Sequence, residues 1–149
     1  MLKQGLTLVE VILAMAIIAI LASVVVVTLK PQDYAKKSRD LKRIDYIGQL
    51  SVAIEDYKLD NGEYPGVEDV VYASNNAVGN VWITSGFSNY VVTQYMDPIN
   101  DNDYNFRYTH TQTDYEIDAK MEINLTDAAG DSGNNTTRYE AGTDLTLLN

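Results

Sequence analysis

From Val11 to Leu29 the chain runs nineteen residues without a charge, Ile12, Leu13, Ile17, Ile18, Ile20, Leu21 and Val24 to Val27 among them. As a helix rising ~1.5 Å per residue, the run spans ~28 Å, about the thickness of a bilayer's hydrocarbon core. A removable secretory signal would have an apolar stretch of only ~7–15 residues before its cleavage site. Here the run continues past the small pair Ala22-Ser23 through Val27. A plain membrane anchor is the simplest reading, and Glu10 argues against it. Lipid disfavours a carboxylate at the head of a span, and the leader Met1-Leu2-Lys3-Gln4 is too short to carry it far outside.

Beyond Lys30-Pro31, where proline breaks or kinks the helix, the pattern changes. Leu41, Ile44, Ile47, Leu50, Ile54 and Tyr57 recur at steps of three or four, one apolar stripe on a helix. Lys36, Lys37, Arg39, Lys42 and Arg43 fall largely around its other face. Gly48 interrupts the stripe at a cost of roughly 1 kcal/mol relative to alanine. Asp60-Asn61-Gly62 is a stop signal, and Tyr64-Pro65 sets an extended exit. Residues 66–103 read as mixed loop with apolar anchors at Val70, Val71, Val81, Trp82, Ile83 and Phe87, with Tyr90–Met96 a short helix or strand.

Alternation takes over after Asp97-Pro98. Tyr104, Phe106 and Tyr108 alternate with polar residues, as do Tyr115, Ile117, Ala119, Met121 and Ile123 with Glu116, Asp118, Lys120 and Glu122. Both runs predict period-two strands with one buried face, joined as an antiparallel hairpin through Thr111 to Asp114. A third strand is expected at Asp144 to Leu148. The fold class is α+β: a long N-terminal α-helix, half membrane and half amphipathic, packed on a small antiparallel β-sheet.

Composition sharpens this picture. The 46% hydrophobic content of the 149 residues is concentrated in the first 29, which leaves a polar body with a modest core. Residues 1–58 have 8 Lys/Arg and 6 Asp/Glu, a net of +2, whereas residues 59–149 have 3 and 15, a net of −12. Such an acidic body repels nucleic acid and anionic lipid. Cysteine is absent, which excludes disulfides, thiolate metal sites and thiol nucleophiles. Tyrosine (11) far exceeds phenylalanine (2), which favours half-buried aromatics with a wet hydroxyl end.

The head of the chain supplies the most specific pattern. A short basic leader, Gly5, then Leu6-Thr7-Leu8-Val9-Glu10 and an unbroken apolar run resembles the N-terminal signal of type IV prepilins and type II secretion pseudopilins. Leu6 stands where that family usually has Phe. The resemblance implies cleavage by a prepilin peptidase between Gly5 and Leu6, leaving 144 residues with an N-methylated amine at Leu6. It implies that Glu10 pairs with that amine on a neighbouring subunit during assembly, a contact that specifies register more than it stabilises.

The implied division is leader peptide 1–5, transmembrane and filament-core helix 6–29, amphipathic helix 30–60 and globular α+β head 61–149. The implied function is that of a structural subunit of a type IV pilus-like filament. The alternatives are a major pseudopilin driving protein export, or a single-pass membrane-tethered binding protein that does not polymerise. Its partners would be further copies of itself in a helical homopolymer, the prepilin peptidase, an inner-membrane assembly platform, and membrane lipid before assembly. It would begin as a single-pass inner-membrane protein, N terminus inside, and end in an extracellular or periplasmic filament. The basic cluster after Lys30 pulls the other way, since positive residues favour the cytoplasmic side.

Other chemistry is thin. Asp97, Asp101 and Asp103 in one loop and Asp127 and Asp131 in another offer hard oxygen ligands suited to calcium, and the resemblance to major pseudopilins adds to that expectation. No complete EF-hand pattern accompanies them. The basic run Lys36–Arg43 could meet DNA phosphates, but aromatic interleaving is limited to Tyr34 and Tyr46, so DNA is not the favoured partner. Asn124-Leu125-Thr126 and Asn135-Thr136-Thr137 fit the glycosylation acceptor pattern, a short pattern common by chance. With one histidine, His110, and no phosphate-binding glycine loop, the sequence points away from an enzyme.

Overall fold

The computed structural model describes residue 5 and residues 7–79, 81–91 and 95–148. It divides into two compact units, one ending at Ala35 and one beginning at Lys36.

In the first unit, α1 (Leu8–Leu29) follows from the apolar run. Every side chain from Leu8 to Thr28 is exposed among the described residues. Lys30 ends it in the left-handed region at φ 42°, because the proline that follows disfavours the right-handed helical conformation. A second helix, α2 (Pro31–Asn61), restarts at once with Pro31 in its first position, where the missing N–H has no helical partner to lose.

The second unit is built on the rest of α2 and a four-stranded antiparallel sheet: β1 (Tyr72–Ala73), β2 (Phe106–His110), β3 (Tyr115–Lys120) and β4 (Arg138–Gly142), in that spatial order. A one-and-a-half-turn helix, α3 (Leu125–Gly130), precedes β4. Ile47, Leu50, Ala53 and Ile54 of α2 share one core with Phe106, Tyr108, Tyr115, Ile117 and Ala119 of the sheet. As expected, α2 stops at Asn61: Gly62 takes φ 79° and returns its N–H to the Lys58 carbonyl at 2.8 Å. The predicted hairpin also forms, closed by the Thr111 N–H on the Asp114 carbonyl at 2.8 Å.

Several expectations are corrected. The strand after the hairpin is Arg138–Gly142, not Asp144–Leu148. Asp144 instead turns the chain, its Oδ1 accepting from the Thr146 N–H and hydroxyl at 3.0 and 2.7 Å. Short β1 lies within the stretch read as loop and pairs Tyr72 with Tyr108. Trp82, Ile83 and Phe87 are buried there as anchors, but Val70 and Val71 are exposed. Part of Tyr90–Met96 lies outside the described residues. Along β3 the alternation does not mean one dry and one wet face, since Glu116 and Asp118 are as buried as Ile117. The stripe on α2 also shifts near its start: Leu41 is exposed, and Asp40 and Arg43 point inward instead. Tyrosine hydroxyls are not uniformly wet, because those of Tyr64 and Tyr108 are buried without a hydrogen-bond partner among the described residues.

Candidate functional site

At the head of α1, Thr7 occupies the N-cap and Glu10 the third helical position, a reciprocal capping box. Glu10 Oε2 accepts from the Thr7 N–H at 2.8 Å and the Thr7 hydroxyl at 2.7 Å. The Glu10 N–H donates back to Thr7 Oγ1 at 3.3 Å. This satisfies two donors that a helix start otherwise leaves open. The carboxylate therefore serves the subunit itself, a role legible in Thr7-Leu8-Val9-Glu10 as the pattern Thr-x-x-Glu before an apolar run. Its other oxygen, Oε1, receives no hydrogen bond among the described residues, and the side chain is exposed. A cation arriving from outside the subunit has an open lone pair there. Gly5 is exposed as well, and a Cβ on it would meet nothing within 4 Å. Leu6 lies outside the described residues.

In the body, the residues expected on a solvated basic face form an internal ionic node. Arg43, fully buried, donates to both oxygens of Asp97 at 2.6 and 2.9 Å, to Asp40 at 2.8 Å and to Glu122 at 2.8 Å. Arg39 holds Glu122 from the other side with two bonds of 2.7 and 2.6 Å. Asp40 accepts the backbone N–H groups of Glu122, Ile123 and Asn124, each at 2.9 Å. The node fastens α2 both to the loop at Asp97 and to the turn after β3. The Arg39 and Arg43 guanidiniums hold Glu122 at about 2, far below the ordinary carboxylate value. Lys37 and Lys42 remain exposed and Lys36 half-buried, so two of the five basic residues considered for DNA are committed inside the fold.

The acidic residues considered for calcium are held in the same way. Asp97 belongs to the Arg43 pair. Asp101 Oδ1 accepts from the Asp103 and Tyr104 N–H groups at 2.9 and 2.7 Å. Asp103 pairs with Lys120 at 2.6 Å, and Asp127 accepts from the Asn124 side chain. Asp131 receives the Gly133 N–H at 2.8 Å and the Glu140 N–H at 2.7 Å. Among the described residues, no three Asp, Glu, His or Cys side chains are arranged to hold a metal ion. His110 is buried, and its Nδ1 donates to the Thr111 carbonyl at 2.9 Å.

The far side of the sheet has a second set of buried charges. Asp118 is bound by Arg138 through two bonds of 2.7 and 2.8 Å, and also by Arg107. Beside it, Glu116 and Glu140 are buried, and each keeps one oxygen without a donor among the described residues. Burial pushes the Glu116 carboxyl up, and the neighbouring Glu140 and Asp118 carboxyls push it further.

A helix of this length and composition can cross a membrane. A family model of the prokaryotic N-terminal methylation motif matches residues 1–26. The chain thus carries the class III prepilin signal of the type IV pilin and pseudopilin family, a structural rather than enzymatic class. No curated protein and no solved structure matches it.

Proposed function

We propose that the chain is a structural subunit of a type IV pilus-like filament. A prepilin peptidase cuts between Gly5 and Leu6, the amine of Leu6 is methylated, and copies polymerise through α1 with the help of an inner-membrane assembly platform. The chain waits in the inner membrane, N terminus inside, and leaves it for the filament. The observation that carries this reading is the match of the methylation motif to the start of a helix whose apolar side chains are exposed from Leu8 to Thr28, apart from one capped carboxylate. In lipid such a helix is solvated; in a fibre the same surface is buried against other copies.

Glu10 then has two roles, helix cap within the subunit and acceptor for the Leu6 amine of the next copy. Glutamine separates them, because it preserves a capping box and removes the charge. Glu10→Gln is expected to be cut normally at Gly5 yet to yield no sheared surface fibres, like Glu10→Ala. Fibres at the wild-type level from Glu10→Gln would leave Glu10 as a cap only. Export of a second protein lost together with the subunit would place the filament in the secretion branch of the family.

A further inference from the structure

Where α2 ends, a cavity of about 250 Å³ lies between the helix exit, residues 62–68, and the end of β2 with the turn that follows it. Its walls are fixed from behind. The Val67 N–H donates to the Tyr72 hydroxyl at 2.7 Å, and the Asp69 N–H to the His110 carbonyl at 2.9 Å. Gly66 takes φ 106°, and a Cβ there would fall 2.9 Å from the Tyr72 ring. Two of the lining side chains, Tyr64 and His110, are only 2% and 5% exposed. The Tyr64 hydroxyl and His110 Nε2 have no hydrogen-bond partner among the described residues. The Thr111 carbonyl can only accept, so His110 Nδ1 carries a proton, and in the neutral ring Nε2 is a bare lone pair. Glu63 and Glu68 stand exposed on the same cavity, and neither is ion-paired among the described residues. The cavity therefore offers acceptors: an imidazole nitrogen, two carboxylates and a phenol oxygen. These side chains do not converge as a metal ion requires. A primary ammonium on a flexible stem needs fewer of them at bonding distance, and it has three donors and no acceptor.

The body's other cations are already engaged. Arg39, Arg43, Arg107 and Arg138 are ion-paired, and Lys120 pairs with Asp103. The Lys58 ammonium lies over the face of the Tyr64 ring and donates to the Thr113 carbonyl at 2.9 Å. Lys37 and Lys42 are exposed and have no ion pair among the described residues. They sit toward the other end of α2. From Lys37 to Asn61 the helix rises ~36 Å at ~1.5 Å per residue, several Debye lengths at physiological salt. Neither lysine reaches the cavity of its own chain, but the same lysine on a second copy can.

We propose that this cavity takes the ammonium of Lys37 or Lys42 from a second copy, so that bodies meet head to tail. The charges match, since residues 1–58 have a net of +2 and residues 59–149 a net of −12. The two surfaces differ, so the contact does not close on a pair; it repeats from copy to copy. It rests on the filament reading and adds to it a joint between bodies. Charge pairs of this kind fix which surfaces meet more than they add affinity.

The test is carbodiimide cross-linking of sheared fibres, which joins a carboxylate to a lysine in direct contact, read by mass spectrometry. Links from Glu63 or Glu68 to Lys37 or Lys42 are expected, and the length of α2 makes any such link one between copies. A charge swap supplies the second arm. Lys37→Glu with Lys42→Glu should lower the yield of sheared fibres about tenfold or more, because like charges then face each other. Adding Glu63→Lys with Glu68→Lys should restore it. All four side chains are exposed, so the variants leave the core intact. Wild-type fibres without the link, links from Glu63 and Glu68 only to a different protein, or a swap that restores nothing would overturn the contact and leave the filament reading standing. A wild-type chain that makes no fibre sinks the filament reading, and the contact with it.

Discussion

Between Leu8 and Thr28 every side chain faces outward and, apart from Glu10, none carries a charge; within the body, Asp40, Arg43, Asp97, Glu116, Asp118, Arg138 and Glu140 are buried. The two regions thus invert the usual order of apolar inside and charged outside, and for different reasons. On the proposed reading the helix is exposed because its solvent is lipid or further copies of itself. The body is small, with much of the chain's apolar content spent on α1, and it closes around ion pairs where a larger domain would place leucines. Buried charges of this sort are poor sources of net stability, but they tolerate no partial removal.

The sharpest way to break that contrast is to unpair the body. Arg43→Ala leaves Asp97 and Asp40 buried without their guanidinium. The expected loss is about 3–5 kcal/mol, read from chemical denaturation, with membrane insertion unaffected. A loss of under ~1 kcal/mol would mean the node is wet and dispensable.

A smaller effect comes from pH, and the body's two carboxylate sites pull in opposite directions. Glu122 titrates near 2 in the fold against an ordinary 4.5, so its contribution is present above about 4.5 and lost as pH falls toward 2. Glu116 is raised to about 7, so its contribution is full below 4.5 and lost as pH rises through 7. Thermal midpoints should therefore peak near 4.5 and fall as pH rises through 7. A midpoint still climbing at pH 8.5 would contradict the Glu116 side of the account, and a flat acid limb the Glu122 side.

The same contrast explains what could be read in the sequence. Nineteen uncharged residues in a row predict a long apolar helix, and the stop at Asp60-Asn61-Gly62 and the alternation around Phe106 and Ile117 are as direct. The body's polar interior was hidden because residue type alone does not tell a solvated arginine from a buried one. Arg43 looks like Lys42, and only the distant partners Asp97 and Glu122 turn it inward. Glu116 and Asp118 read as the wet side of a strand for the same reason, their cover being the C-terminal segment and β4. The strand at Arg138–Gly142 has its own alternation, Tyr139 and Ala141 against Arg138 and Glu140. At the helix head, Thr7-Leu8-Val9-Glu10 fits the capping-box pattern, which gives that carboxylate a local purpose beside the proposed assembly role.

The central claim is that α1 is exposed in the subunit because it is buried in a fibre after processing. Mass spectrometry of material sheared from cells that make the chain tests it most directly. The account predicts filaments whose subunit starts at a methylated Leu6. A chain that keeps Met1 to Gly5, found only in the membrane and never in a fibre, would contradict it.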